Sequence, residues 1–143
     1  MTEQNFKNHT RLVPLFHGVT FLLILSGLIG SIINLCDHHE PGNHYSAALL
    51  IVVFIVFLLL FWFVRSFALK AQDRAIRAEE NFRHFILTGK PLDKNLRMGQ
   101  IIALRFASDE ELPALAQKAL AEKMAPKDIK MAIKNWKGDY HRV

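Results

Sequence analysis

Two long apolar runs constrain this chain more than any other feature of it. Residues 15–35 and 47–64 contain no Lys, Arg, Asp or Glu, and only residues 36–46 separate them. A helix needs about 20 apolar residues to cross the hydrocarbon core of a bilayer. Backbone polar groups must be satisfied internally there. We therefore expect two membrane-spanning helices that form a tight hairpin.

The remaining length limits the rest of the fold. The chain has 143 residues, 51% of them hydrophobic, and the hairpin takes up most of the first half. Too few residues remain for a large soluble domain. We predict an all-α chain with a cytoplasmic arm at 1–12, a transmembrane hairpin at 13–65, a stalk helix at 66–88 and a cytoplasmic three-helix module at 89–143. The predicted spans are about 13–35 and 46–65, joined by an outside loop at 36–45.

Basic residues predict the orientation of the hairpin. Lys7 and Arg11 precede the first run, sixteen Lys and Arg follow from residue 65 onward, and the loop has none. Cytoplasmic flanks of membrane helices carry this excess of positive charge, so both termini are expected in the cytoplasm. The start of the tail is predicted to contact lipid headgroups in general or to bind a specific anionic lipid. Its basic residues are Arg65, Lys70, Arg74 and Arg77.

The sequence argues against a nucleic-acid-binding protein and against a lipoprotein. The net charge is +5, but Lys and Arg alternate with acids and no recognition motif occurs, so we do not expect nucleic-acid binding. Cys36 is the only cysteine, which excludes an internal disulfide. The residue before it is Leu35, whereas a lipoprotein signal has a small residue there. We expect the first run to be an uncleaved anchor.

Small residues in the first run predict a helix–helix contact. Two pairs are spaced four apart, a pattern that lets membrane helices approach closely. The pairs are Ser26 with Gly30 and Gly27 with Ser31. Because the loop is short, packing on the second span of the same chain is favoured, and a homodimer contact is the alternative.

The stretch after the second run has no Pro or Gly up to residue 88 and continues as a helix. Apolar residues recur there at alternating spacings of three and four, as in a coiled-coil seam. We call them the Ala–Phe seam: Ala68, Ala71, Ala75, Ala78, Phe82 and Phe85. This seam is predicted to pack on another helix.

Three short helices are expected after the break at Gly89 and Pro91. The first is predicted at 95–107, and Ser108 with Glu111 forms a capping-box pattern for the second, which runs to about residue 124. Pro126 suits the first position of the third helix.

The loop 36–45 has the highest concentration of potential metal ligands. Cys36, His38, His39 and His44 offer thiol and imidazole groups, which Zn or Cu would bind. No established metal spacing is present, and polar turn residues are also what a solvated hairpin loop requires.

No other residue set indicates catalysis, so the chain is not expected to be an enzyme. His17 in the first run could serve a haem or a proton relay, or hydrogen-bond near the headgroups. Asp109, Glu110 and Glu111 are explained by a helix start. Trp136 is expected in the core of the module. We expect no cofactor and find no evident small-molecule substrate.

Three stretches resemble a known family. They are ALKAQDRAIRAEENFR at 68–83, LRFASDEEL at 104–112 and IKNW at 133–136. These stretches are similar to an uncharacterised family of small bacterial membrane proteins with two spans and a cytoplasmic helical tail. The resemblance implies this architecture and a bacterial inner membrane. It supplies no active-site residues.

The expected function is therefore a non-catalytic membrane anchor whose cytoplasmic helical surface binds a protein partner or a second copy. One alternative is an accessory subunit of a larger respiratory or transport complex. Another is a periplasmic metal or pH sensor that uses the His-rich loop.

Overall fold

The computed structural model describes residues 4–10, 12–37 and 44–140, and this part of the chain is all-α, as predicted. A π-helical turn, Leu15–Thr20, precedes α1 (Phe21–Cys36), which is followed by α2 (His44–Thr88), α3 (Met98–Leu104), α4 (Leu112–Ala121) and α5 (Pro126–Ala132). No strand forms in these ranges, although an isolated bridge pairs Ala107 with Trp136.

Two of the helices are long and apolar enough to cross a membrane. They are Leu15–Cys36, with 22 residues, and His44–Thr88, with 45 residues. Only 6% of the most apolar window of each is buried, unlike the core helix of a soluble protein. The apolar side chains of both helices therefore face outward over most of their surface.

The chain forms two compact units. The first contains the described residues from 12 to 67 and comprises the hairpin helices. The second combines the arm residues 4–10 with residues 68–140. A short polar terminus such as the arm ordinarily frays. The arm instead packs on the helical module, through Gln4 and His9.

The end of α2 lies at the predicted break. Gly89 has φ +71°, a left-handed conformation that glycine adopts at low cost just after a helix. Its N–H donates to the carbonyl of Phe85 at 2.8 Å. Before this point α2 runs without interruption from His44, because residues 66–88 offer no Pro or Gly to break it.

The module is built around one apolar core. Its largest fully buried side chains come from all three short helices and the turn after α3. They are Ile101, Leu104, Phe106, Leu112 and Ile129. The three helices are shorter than predicted, because the chain turns at 105–111 and again beyond residue 132. Pro126 begins α5, as its sequence position indicated.

The predicted capping box at Ser108 is only half present. The Ser108 hydroxyl lies 3.4 Å from the N–H of Glu111, but α4 begins later, at Leu112. The Glu111 carboxylate does not return to Ser108. It accepts hydrogen bonds from the backbone N–H groups of Lys134 and Asn135, at 3.1 and 3.2 Å. Glu111 therefore ties the start of α4 to the segment after α5.

Candidate interaction surfaces

Arg83 joins the end of α2 to the turn before α4. Its guanidinium donates to the Glu80 carboxylate at 2.9 Å, to the Asp109 carboxylate at 2.6 Å and to the carbonyl of Ala107 at 2.7 Å. Glu80 is buried and Arg83 is nearly so, whereas Asp109 is largely exposed. The hydrogen bond and the positive charge of Arg83 lower the pKa of Asp109 below its usual value of 3.8. These contacts fix one face of the stalk against the module.

Two further polar side chains of α2 hold the segment that follows Gly89. The buried His84 ring donates through Nδ1 to the carbonyl of Lys90 at 2.8 Å. The Asn81 amide oxygen accepts from the N–H of Leu92 at 2.9 Å. With Ile76, which is also buried, these residues form the covered face of the stalk. Sequence reasoning missed Glu80, Arg83 and His84, because nothing in their spacing indicates long-range hydrogen bonds.

The N-terminal arm contacts the C-terminal segment through the side-chain amide of Gln4, which pairs with the backbone of Asp139. The Gln4 amide donates to the carbonyl of Asp139 at 3.1 Å, and its oxygen accepts from the N–H of Asp139 at 2.8 Å. One side chain thus satisfies both backbone groups of one residue, much as a neighbouring strand would. Asp139 is itself ion-paired with Arg105 at 3.2 Å. The sequence contained no signal for this contact.

Aromatic rings extend the same contact. The His9 ring lies 5.6 Å from the Phe106 ring and 5.9 Å from the Trp136 ring, centre to centre. Its Nδ1 donates to the carbonyl of Phe6 at 2.8 Å, and the Lys130 ammonium donates to its Nε2 at 2.9 Å. Phe106 is fully buried, and Trp136 packs at the edge of the core, close to where it was expected.

The Ala–Phe seam lies on an uncovered part of the stalk. Five of its residues are exposed and Ala68 is half-buried; the exposed ones are Ala71, Ala75, Ala78, Phe82 and Phe85. The module packs against other residues of α2, so the seam is not an intrachain helix contact among the described residues. Its predicted role as a contact with another chain stays a prediction.

The small residues of α1 divide between two faces. A Cβ at Gly27 would lie 2.2 Å from the Phe54 ring of α2, so this glycine permits direct packing of the two helices. Ser31 is buried and donates to the carbonyl of Gly27 at 2.8 Å. In contrast, Ser26 is exposed and a Cβ at Gly30 would meet nothing within 4 Å. Gly27 and Ser31 therefore serve the hairpin contact, whereas Ser26 and Gly30 face outward.

The predicted metal site falls largely outside the described residues. His38 and His39 lie there, so the structure neither supports nor opposes them as ligands. Cys36 is exposed at the end of α1, and His44 begins α2. Within the described ranges no three His, Cys, Asp or Glu side chains are grouped to hold a metal ion. The metal hypothesis stays a prediction.

His17 has a local partner just before the helical turn in which it lies. Its Nδ1 lies 3.0 Å from the carbonyl oxygen of Val13, and its ring contacts Phe16 edge to face. This geometry is that of a hydrogen bond near the start of the first span, which was one of the two expected roles.

The juxtamembrane basic residues lie along α2, where Lys70, Arg74 and Arg77 are exposed and Arg65 is half-buried. Arg74 and Arg77 also border an open cleft of about 460 Å³. Lys94 borders the same cleft, so the described residues that line it carry three positive charges and no acid. Lipid contact by these residues stays a prediction.

Comparison with known proteins gives the family of the chain. Searches of curated proteins and of solved structures each returned no match. The model of the family described as "Family of unknown function (DUF6526)" matches residues 1–143. The resemblance noted from the sequence is thereby confirmed at the level of an uncharacterised family, while neither a bacterial origin nor the two-span topology is part of that match. The chain belongs to the DUF6526 family.

Proposed function

We propose that this protein is a non-catalytic anchor of the bacterial inner membrane that presents a helical surface to protein partners in the cytoplasm. In this proposal the hairpin α1–α2 spans the membrane twice. The arm, the end of α2 and the module lie together on the cytoplasmic side. The exposed apolar faces of both helices support the insertion.

The observation that carries the proposal is the packing of the arm on the module. Gln4 and His9, which precede the hairpin, contact Asp139 and Trp136, which follow it. A hairpin with both flanks in one compact unit crosses a membrane an even number of times. The basic flanks then favour the cytoplasm for that unit.

The protein offers a direct test of this topology, because Cys36 is its only cysteine and is exposed. A membrane-impermeant maleimide applied to intact bacterial cells should label Cys36 in the full-length protein. The Cys36→Ser variant is the control and should not be labelled. In a Cys36→Ser background, the exposed Lys127→Cys should react only after the membrane is permeabilised.

Labelling of Lys127→Cys in intact cells would contradict the proposed orientation. Recovery of the protein in the soluble fraction, without detergent, would contradict membrane anchoring altogether. Both outcomes are independent of the identity of any partner.

The outward pair Ser26 and Gly30 favours a second candidate function. A small-residue face on a lipid-exposed helix allows close approach of another membrane helix. The protein would then be an accessory subunit of a larger respiratory or transport complex. Purification in a mild detergent should recover a stoichiometric heterocomplex, and Gly30→Leu should disrupt it. Recovery of the chain without such a complex would count against this role.

A further inference from the structure

The far end of the stalk exposes a cluster of large apolar side chains. Phe82, Phe85 and Ile86 are 64%, 50% and 66% exposed. We call these three residues the distal apolar patch. They are adjacent on one helix surface, because they are separated by three and four residues. Contiguous exposed apolar side chains are candidates for an interaction site.

The patch overlaps the Ala–Phe seam on the uncovered side of α2. Phe82 and Phe85 belong to both, and Ile86 adjoins the seam. Successive residues of a helix are rotated by about 100° around its axis. The mean direction of the exposed seam residues therefore lies about 160° from the mean direction of the residues that the module covers. The covered residues are Ile76, Glu80, Arg83 and His84. The contacts that fix the module leave five seam residues exposed, while Ala75 and Ala78 also border clefts whose opposite walls belong to the module. Alanine at four successive seam positions would let another helix approach closely.

We propose that a second copy of this chain covers the seam, with the two stalks parallel. The proposal rests on the proposed membrane anchoring, because two hairpins inserted in the same orientation direct their stalks the same way. The alternating spacing of three and four residues is that of a left-handed coiled coil, and the shared membrane orientation makes the pair parallel. Phe82, Phe85 and Ile86 supply its large apolar contacts, and alanine supplies the close approach.

Charge at the edges of the seam fits this partner. In a parallel pair with the seam at its centre, the residue just before Ala75 on one stalk lies near the residue just after Ala78 on the other copy. Arg74 and Glu79 occupy such flanking positions, and both are exposed. Each stalk would therefore place Arg74 opposite Glu79 of the second copy, twice in a symmetric dimer. The same sequence thus provides both halves of a complementary edge.

A lipid surface is a less suitable occupant for the distal apolar patch. Phe82 lies twelve residues beyond Lys70 on the same helix, about 18 Å at 1.5 Å per residue. If Lys70 lies at the headgroups, the patch is held away from the hydrocarbon. A protein surface is then the occupant that fits the patch.

Cysteine crosslinking in native membranes tests the proposal on the full-length chain. In a Cys36→Ser background, Ala78→Cys should form a disulfide-linked dimer under mild oxidation, because seam positions of two parallel helices lie close together. Arg77→Cys is the matched control, since it is exposed on the same turn but points away from the seam. We expect at least a fivefold higher dimer yield from Ala78→Cys.

Charge exchange provides a second measurement. Arg74→Glu should lower the crosslinking yield of Ala78→Cys severalfold, and adding Glu79→Arg should restore it. Phe82→Ala should lower the yield as well, and it is not expected to unfold the module because Phe82 lies outside the core.

Equal yields from Ala78→Cys and Arg77→Cys would overturn the dimer proposal. A disulfide between residue 78 and a different membrane protein, without a self-linked product, would overturn it too. Either result can be obtained while Cys36 labelling still supports the membrane topology. Failure of the dimer is therefore distinguishable from failure of the proposed anchor function.

Discussion

Arg83 donates hydrogen bonds to three different acceptors and thereby connects the end of α2 to the module. Its partners are the buried Glu80, the exposed Asp109 and the backbone carbonyl of Ala107. Burial of Glu80 is tolerable only while a cation neutralises it. The ion pair with Asp109 is worth little alone, because that carboxylate is well solvated.

We therefore predict that Arg83→Ala destabilises the folded protein by about 2–3 kcal/mol, mainly because it leaves Glu80 buried and unpaired. Arg77→Ala, an exposed neighbour on the same helix, should change stability by less than about 0.5 kcal/mol. Chemical unfolding in detergent, followed by circular dichroism, measures both. Equal effects of the two variants would show that the Arg83 contacts do not stabilise the stalk–module junction.

Asp109 predicts an acid-dependent component of this stability. Its pKa is lowered in the folded protein by the hydrogen bond and the charge of Arg83. A carboxylate with a lowered folded pKa stabilises the protein above its unfolded value and loses that contribution as pH falls through the folded value. The stabilisation is thus complete well above pH 3.8 and declines below it.

The melting temperature of the wild-type protein should accordingly fall more between pH 6 and pH 3 than that of Asp109→Asn. The difference should be small, since Asp109 is exposed. Glu110→Gln, a neighbouring substitution, is the control and should follow the wild type. A steeper decline for Asp109→Asn would have the wrong sign for this mechanism.

Among the elements, the hairpin shows how far sequence patterns reach. Spacing alone identified both small-residue pairs of α1, but it could not say which pair faces α2. That choice depends on the Phe54 ring, which lies directly against Gly27. The two pairs differ by one helical position, about 100°, so only the three-dimensional docking of the helices distinguishes them.

Matched substitutions test this division of the α1 surface. Gly27→Ala should destabilise the hairpin by about 1–3 kcal/mol, because its Cβ would lie 2.2 Å from the Phe54 ring. Gly30→Ala should have little effect on the isolated chain, because its Cβ would meet nothing within 4 Å. Thermal unfolding in detergent compares them, and Phe54→Leu should partly rescue Gly27→Ala. A larger loss at Gly30 would assign the hairpin contact to the other pair.

For the stalk, the sequence predicts the extent of the helix but not the face that the module covers. Its length and its end at Gly89 could be predicted, since residues 66–88 contain no helix breaker. Its covered face could not. The module packs on Ile76, Glu80, Arg83 and His84, three of which are polar, while the apolar seam remains exposed. Hydrophobic periodicity finds an apolar face, but hydrogen bonds to distant carbonyls determined which face is covered.

At the scale of the whole chain, the arm is the feature that the sequence concealed most completely. Its residues are polar and contain no helical or strand pattern, so fraying was the natural expectation. The contact with Asp139 depends on one side-chain amide that matches both backbone groups of a residue far along the chain. Such a match has no local signature, and only the assembled module creates the partner.

Detachment of the arm can be measured by the rate of tryptic cleavage at Lys7, which lies between Gln4 and His9. Gln4→Ala removes two hydrogen bonds, each worth about 1 kcal/mol, and should speed cleavage about thirtyfold by raising the detached population. His9→Ala should act in the same direction, because it removes the ring contacts with Phe106 and Trp136. Thr10→Ala, an exposed substitution in the same arm, should leave the rate unchanged. If all three variants are cleaved at the wild-type rate, the arm is not held by these contacts, and the argument that both flanks of the hairpin share one side of the membrane loses its main support.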